Sequence, residues 1–373
     1  MNMGKRAKVL FVAPLPPPVH GSAMVSQLIK DSALINEQFD CRFVNLSTSR
    51  RMEEIGKRSV ALYFKKAFRF GGSVARLLGN LLCHRFDLCY LAITCHGVGF
   101  LKDMPFVLLC KLFGRKVVIH QHNKGMSHDV DRWPYRWLLP LTYRGTTVIL
   151  LSWHLYPDIE RVVKRSQVMI CPNGIPDTGT EPSAQRHNVV PRILFLSNLI
   201  VSKGVYVLLD ALKILKEQGY SFVCDFVGGE TKEIDAATFA REVERRGLNE
   251  VAVYQGRKYG SEKEAYFNNT DIFILPTFYD NECLPLVILE AMQYKIPVIS
   301  TDEGGIPDII DDGTTGLIAR RQDAADLAAK LAKLLPDAEL RQRMGEAGYE
   351  KYRRQFTLDA FENTFAAILS RLT

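Results

Sequence analysis

Two glutamates eight residues apart, Glu282 and Glu290, frame the strongest chemical constellation in this sequence. They lie in Asn281-Glu282-Cys283-Leu284-Pro285-Leu286-Val287-Ile288-Leu289-Glu290, which reads as a loop entering a helix. Pro285 suits the first helical turn, where no N–H is needed and φ is already set. The amides of Leu286 and Val287 would then point out of the helix start. Unpaired N–H groups and the helix dipole favour an anion there, phosphate above all. Glu290 falls about one and a half turns further in. Its carboxylate can accept two hydrogen bonds from neighbouring hydroxyls, as a ribose offers, while Glu282 stays in the loop. The plain alternative is an N-capping acid followed by a surface glutamate.

Four further stretches could add contacts. Ser197-Asn198-Leu199-Ile200-Val201-Ser202-Lys203-Gly204 follows a strand pattern and precedes a helix. A lysine at a helix start opposes the dipole unless an anion, such as a diphosphate, lies between them. Thr301-Asp302-Glu303-Gly304-Gly305-Ile306-Pro307-Asp308 directly follows another strand, and its paired glycines let a backbone approach a ligand or simply make a turn. Pro14 to Ser22 is a Pro/Gly loop in which Gly21 and Ser22 open a helix, a possible anion or sugar contact. His120-Gln121-His122-Asn123-Lys124 ends a strand, where residues two apart share a face. That leaves three readings: a metal pair, one histidine in polar contact with a ligand, or satisfied structural histidines. Asp129 and Asp131 are a second conceivable metal pair. Gly97-Val98-Gly99 has Lys102 where a third glycine belongs, so the dinucleotide fingerprint is absent and a dehydrogenase is not expected.

The elements that must position these residues alternate regularly. Apolar runs at Lys8–Pro14, Cys41–Leu46, Leu88–Thr94, Lys116–Gln121, Thr147–Ser152 and Val168–Cys171 predict six strands, with a helix over 22–35. The runs are continuous rather than alternating, as in parallel strands buried on both faces. Pro176 to Ser183 reads as a linker. The pattern then restarts, with strands at Arg192–Ser197, Phe222–Val227, Val251–Gln255, Ile272–Leu275 and Val298–Ser300 and helices between them. Ala338 to Leu372 is helical. The fold class is α/β, with two doubly wound Rossmann-like domains facing across a cleft, ligands being expected at the carboxyl ends of the strands. The domains are placed at 1–178 and 191–354 with a linker at 179–190, and the helix at about 355–373 is free to pack back on the first.

Of the 373 residues, 47% are hydrophobic and 24% charged, a globular composition. No apolar run reaches the roughly 18 residues of a membrane span. The eight cysteines include no Cys-x-x-Cys pair, which disfavours a zinc site or disulfide framework and suits a reducing cytoplasm. The net charge of +7 is unevenly spread, at +12 over residues 1–185 and −5 over the rest. Residues 55–86 contain no acid, yet carry Lys57, Arg58, Lys65, Lys66, Arg69, Arg76 and Arg85 among Phe64, Phe68, Phe70 and several leucines. Such a mixture fits an anionic lipid surface, or the outer face of an ordinary helix pair. No nucleic-acid motif accompanies it.

Together these motifs resemble glycosyltransferase family 4, retaining enzymes of the GT-B fold, in particular members that build bacterial surface polysaccharides. The resemblance covers nearly the whole chain and is strongest over residues 190–320. It rests on the Pro/Gly loop after the first strand, His122, Pro172-Asn173-Gly174-Ile175, Lys203-Gly204, Leu275-Pro276-Thr277, the Glu282/Glu290 pair with Ala291-Met292, and Gly304-Gly305. It implies transfer of a sugar from a UDP- or GDP-linked donor, with retention, to a glycan acceptor that is expected to be lipid-linked. In these terms His122, Lys203 and Glu282 are the catalytic residues. Gly21, Ser22, Asn198, Arg257, Leu286, Val287, Glu290, Gly304 and Gly305 bind the donor, and no metal or other cofactor is expected. Asn198 stands where the family often has Arg, so Arg257 or Lys258 is a candidate replacement cation. Leu284-Pro285 replaces the usual Phe-Gly, and Asp308 a commoner Glu. The expected partners are the donor, the acceptor and an anionic membrane surface met by the basic N-terminal half, with the protein on the inner face of the cell membrane. Two alternatives remain: a metal-dependent sugar transferase using Asp129/Asp131, and a non-catalytic nucleotide-sugar-binding subunit.

Overall fold

A computed structural model describes residues 6–17, 21–49, 59–179 and 188–373. Its first elements are β1 (Lys8–Ala13), α1 (Gly21–Asp31), α2 (Ala33–Gln38), β2 (Asp40–Asn45), α3 (Val60–Cys83), β3 (Leu88–Ala92), α4 (Gly97–Leu112) and β4 (Lys116–His120). There follow α5 (Met126–Asp129), α6 (Tyr135–Tyr143), β5 (Thr147–Leu150) and β6 (Val168–Ile170). The second series is β7 (Arg192–Leu196), α7 (Val205–Glu217), β8 (Val223–Val227), α8 (Ala236–Arg245), β9 (Ala252–Gly256), α9 (Gly260–Asn268) and β10 (Ile272–Leu275). It continues with α10 (Leu286–Gln293), β11 (Val298–Thr301), α11 (Ile306–Ile309), β12 (Gly316–Ala319), α12 (Ala324–Leu334), α13 (Ala338–Gln355) and α14 (Leu358–Leu372). The helix expected over 22–35 is two helices. Ser32 is extended, and its hydroxyl accepts the Ile35 N–H at 3.2 Å, an N-cap that starts α2 afresh.

The strands form two all-parallel six-stranded sheets, in the orders β2-β1-β3-β4-β5-β6 and β12-β11-β10-β7-β8-β9. The continuous apolar runs account for this. Val9 to Val12 and Ile272 to Leu275 are buried on both sheet faces, as only a helix-covered parallel sheet requires. Each such aliphatic or aromatic side chain contributes about 1.5–3 kcal/mol when fully buried.

The chain divides into one unit of Met1–Asn173 with Asp359–Thr373, and another of Gly174–Leu358. The expected boundaries were 178 and 190, and most of the expected linker, residues 180–187, lies outside the described residues. In the first unit α14 sends Phe365 against the rings of Phe11, Tyr90 and His120. In that sheet β1 lies between β2 and β3. With right-handed crossovers, α1 covers one face while α3, α4 and α6 follow one another on the opposite face. The observed packing of α3 on α4, and of α4 on α6, agrees.

Candidate functional site

The second unit places three loops side by side, because β11, β10 and β7 are neighbours in its sheet. All three leave the carboxyl ends of their strands, at Asn198–Gly204, Pro276–Pro285 and Asp302–Gly305. Hydrogen bonds tie them together. The Phe278 N–H donates to the Ser202 carbonyl at 2.8 Å, the Thr301 hydroxyl to the Thr277 carbonyl, and the Gly305 N–H to the Cys283 carbonyl at 2.6 Å. Two glycines make this closeness possible. Gly204 has φ +87°, and a Cβ there would overlap the Pro276 carbonyl oxygen. Gly304 has φ +58°, and its Cβ would overlap the Glu282 carbonyl oxygen.

This clamp brings Lys203 and Glu282 into a direct ion pair. The side chains are only 15% and 9% exposed, so the charges meet largely out of water. The Thr277 hydroxyl lies 3.4 Å from the same Glu282 oxygen. The Lys203 ammonium sits 4.8 Å from the centre of the Tyr279 ring, a cation–π contact.

Pro285 is the N-cap of α10, not a residue of its first turn as expected. Its ψ of 115° is extended, and its carbonyl accepts the first helical bond from Ile288 N–H at 3.1 Å. A proline φ serves both positions, so the sequence does not separate them. Leu286 and Val287 are therefore the first two helical residues, whose amides have no partner within a helix. One turn on, Glu290 Oε1 accepts from Lys263 of α9 at 2.8 Å. Glu290 Oε2 is buried and has no hydrogen-bond partner among the described residues. At its far end α10 is held by Gln293, whose amide donates to the Pro176 carbonyl and the Tyr352 hydroxyl at 2.9 and 3.0 Å.

Other expected donor contacts also make local contacts. Asn198 Oδ1 accepts the Gly229 N–H at 3.1 Å and so fixes the loop after β8. Arg257 lies across Gly229, where any side chain would collide with its guanidinium, and makes no ion pair among the described residues. Lys258 instead pairs with Glu262 at 3.6 Å and lines a separate cavity of about 310 Å³ with Arg192 and Asp225. The close approach that Gly304 and Gly305 permit is to the Glu282–Cys283 backbone. Gly305 has already given its N–H to Cys283, and Gly304 donates its own to Glu303 Oε1 at 3.1 Å.

The first unit holds its own cavity, of about 340 Å³, lined by Pro14, Ser22, Thr94, Lys102, Asp103 and His122 among others. Residues 18–20 of the Pro/Gly loop lie outside the described residues. Gly21 starts α1 with open space around it, so nothing steric demands glycine there. His122 lies just past β4, its ring 4.1 Å from that of His120. His120 is fully buried and 2.9 Å from the Tyr90 hydroxyl. Burial, and then the neighbouring His122, hold its imidazole well below the usual range, so it stays neutral. Of the three readings, the structural one fits His120, and His122 alone reaches the cavity.

The metal-pair reading of Asp129 and Asp131 is corrected. Asp129 is buried, accepting the Gly97 N–H at 2.6 Å and pairing with Arg132 at 2.9 Å. Asp131 is exposed and bidentate with Arg161 at 2.7 Å for both contacts. The two carboxylates are committed to different partners. Among the described residues no three His, Cys, Asp or Glu side chains cluster as metal ligands.

Sequence reasoning missed Lys263, Tyr279 and Lys102. Lys263 and Tyr279 meet Glu290 and Lys203 through the fold rather than through local spacing, whereas Lys102 pairs with the next residue, Asp103, at 3.2 Å. The one visible signal was a lysine in a polar helix directly before β10.

Residues 180–351 match the family of glycosyl transferases group 1. The chain is 28% identical over 198 residues to the colanic acid biosynthesis glycosyltransferase WcaL of Salmonella typhimurium, covering 52% of this chain and 48% of that protein. It thus spans about half the length of the curated relatives it matches. Sucrose-phosphate synthase from Thermosynechococcus elongatus superposes with a TM-score of 0.76 at 18% identity, covering 98% of this chain and 99% of that one. Anabaena HepE, solved in complex with UDP, gives 0.74 at 15% identity, covering 98% and 100%. Residues 180–351 are thus similar to the glycosyl transferases group 1 family, and the two parallel sheets have the GT-B fold.

Proposed function

We propose that this protein is a retaining glycosyltransferase that moves a sugar from a UDP- or GDP-linked donor to a glycan acceptor in polysaccharide biosynthesis. The observation that carries the reading is Glu290. One carboxylate oxygen is held by Lys263 and the other is buried without a partner. An unsatisfied buried acceptor is costly unless a ligand supplies the donor. It sits one turn into α10, behind two helix-start amides that suit a diphosphate. A nucleoside diphosphate offers both groups, ribose hydroxyls for Glu290 and phosphate for Leu286 and Val287. The relative named for colanic acid synthesis, and a neighbour solved with UDP, support the same reading.

In this reaction the bond between the anomeric carbon and the diphosphate oxygen breaks, and a bond to the acceptor oxygen forms on the same face. The acceptor's proton passes to the departing diphosphate. Negative charge grows on the leaving group, and Lys203 and the α10 amides stabilise it. Lys203 is held ready by Glu282, and Arg257 is the further cation where the family's usual arginine is Asn198. His122 is kept as a candidate catalytic residue, and Gly21 and Ser22 as candidate donor contacts. The acceptor is lipid-linked. The basic α3 docks the protein on the inner face of the membrane, with Lys65 and Arg76 exposed. Arg69 and Phe70 do not serve that contact. Arg69 donates to the Thr48 carbonyl at 2.8 Å, and Phe70 packs edge-on against Phe106. Lys57 and Arg58 lie outside the described residues. The test is a panel of nucleotide sugars scored by thermal shift and by release of nucleoside diphosphate, with and without EDTA. Stabilisation by one UDP- or GDP-sugar and EDTA-resistant turnover are expected. No stabilisation by any of them would refute the reading.

A further inference from the structure

Helix α3 packs on α4 and α4 on α6, which right-handed crossovers put on one face of the first sheet, and these helices carry several exposed large apolar side chains. Phe64 and Phe68 of α3 are 74% and 85% exposed, and Leu112, ending α4, is 80% exposed. Trp133, Trp137 and Leu141 are 79%, 64% and 53% exposed. These last three are spaced four apart, so Trp137 and Leu141 form a stripe along α6 that Trp133 continues just before it. The inner residues Tyr135, Leu139 and Tyr143 are buried. A soluble surface rarely presents so many large apolar side chains together without a partner.

The charges on this layer have one sign. No Asp or Glu occurs in residues 55–86, 104–128 or 132–157. The one acid of the three helices, Asp103, is buried. The exposed acid that precedes α6 in sequence, Asp131, is paired with Arg161. Arg136 lies 5.0 Å from the Trp137 ring, so cation and indole form one amphipathic unit. The Lys111 ammonium donates to the Leu141 and Arg144 carbonyls at 2.7 and 2.8 Å, joining the end of α4 to the end of α6.

We propose that the whole α3–α4–α6 layer is a membrane-docking plate that inserts Trp133 and Trp137 at the interface of an anionic leaflet. The inference rests on the membrane attachment proposed above and extends it from charge on one helix to insertion by three. Tryptophan favours this depth because its ring is apolar and its N–H stays near the headgroups. The surrounding Lys and Arg meet anionic lipid. A second copy of the chain suits the face poorly, because two such plates would oppose positive charge with positive charge. No helix among the described residues is long and apolar enough to cross a membrane, so the plate rests in the interface.

The full chain carrying Trp153→Phe leaves Trp133 and Trp137 as the only tryptophans. Its emission is read with vesicles of phosphatidylcholine alone and with about one third phosphatidylglycerol, no nucleotide sugar being added. Anionic vesicles should shift the emission to the blue, and lipids brominated at shallow depth should quench it. The folded double variant Trp133→Ser, Trp137→Ser should partition about tenfold more weakly or worse. Lys65→Ser with Arg76→Ser should make the binding weaker and less salt-sensitive. An unshifted emission in anionic vesicles overturns the proposal. So does vesicle binding that the tryptophan variant leaves unchanged, or a blue shift without lipid that tracks formation of a dimer by light scattering. Because no donor is present, these outcomes do not depend on the glycosyltransferase reading, which fails separately if no nucleotide sugar binds.

Discussion

Lys203 and Glu282 are 79 residues apart in sequence and meet in an ion pair that is largely shielded from water. Removing one partner strands the other charge. Lys203→Ala should cost about 3–5 kcal/mol of stability by denaturant unfolding. Lys203→Met combined with Glu282→Gln should recover much of that loss, since no charge is left uncompensated. Activity should not recover, and kcat should stay down by on the order of a hundredfold. A double variant with near-normal turnover would remove Lys203 from the chemistry.

Glu290→Ala should raise the donor KM and the Kd for nucleoside diphosphate. The loss of charge-assisted bonds is worth about 1.5–3 kcal/mol, or roughly ten- to a hundredfold. Lys263→Ala should weaken binding less, because it only orients the carboxylate from Oε1. Titration calorimetry on both variants orders the two effects, and the reverse order would contradict the assignment.

Gly304→Ala puts a Cβ into the Glu282 carbonyl oxygen at a positive φ, and Gly204→Ala does the same to Pro276. Each should destabilise by about 1–3 kcal/mol and displace Glu282 or Lys203. Gly21→Ala, with open space around it, should leave thermal unfolding unchanged. Thermal unfolding and kcat of the three variants check this ordering.

His120 is held neutral in the folded state, its imidazole well below the usual range because of burial and then His122. The unfolded chain protonates near pH 6.5, so it binds more protons than the folded chain below that value. Stability from this residue is therefore full above about pH 6.5 and is lost as pH falls. His120→Gln should flatten the decline in Tm between about pH 6.5 and 5. An unchanged slope would show that His120 does not set it.

Much of this arrangement is readable in the chain. Continuous apolar runs such as Val9–Val12 and Ile272–Leu275 announce parallel strands, since both sheet faces select for the same residue types. The strand β12 was not legible, because Gly316–Ala319 is short and emerges from the turn-rich Asp311-Asp312-Gly313-Thr314-Thr315. The glutamate pair and Lys203 were legible as local patterns, but their pairing was not, because it depends on β7 and β10 being neighbours. The tryptophan stripe escaped for the opposite reason. Trp133, Trp137 and Leu141 carry the spacing of a core-facing stripe, and only the packing of α6 shows which face is turned outward.

Sugar transfer from a nucleotide donor with retention is read from the anomeric configuration of the product. An α-linked UDP- or GDP-sugar that stabilises the protein is incubated with a lipid-linked glycan acceptor. The product is examined by proton NMR while nucleoside diphosphate release is followed. An α-linked product is expected, formed one for one with released nucleoside diphosphate, with loss of both signals in Lys203→Ala. A β-linked product, or sugar transfer without release of nucleoside diphosphate, would contradict it.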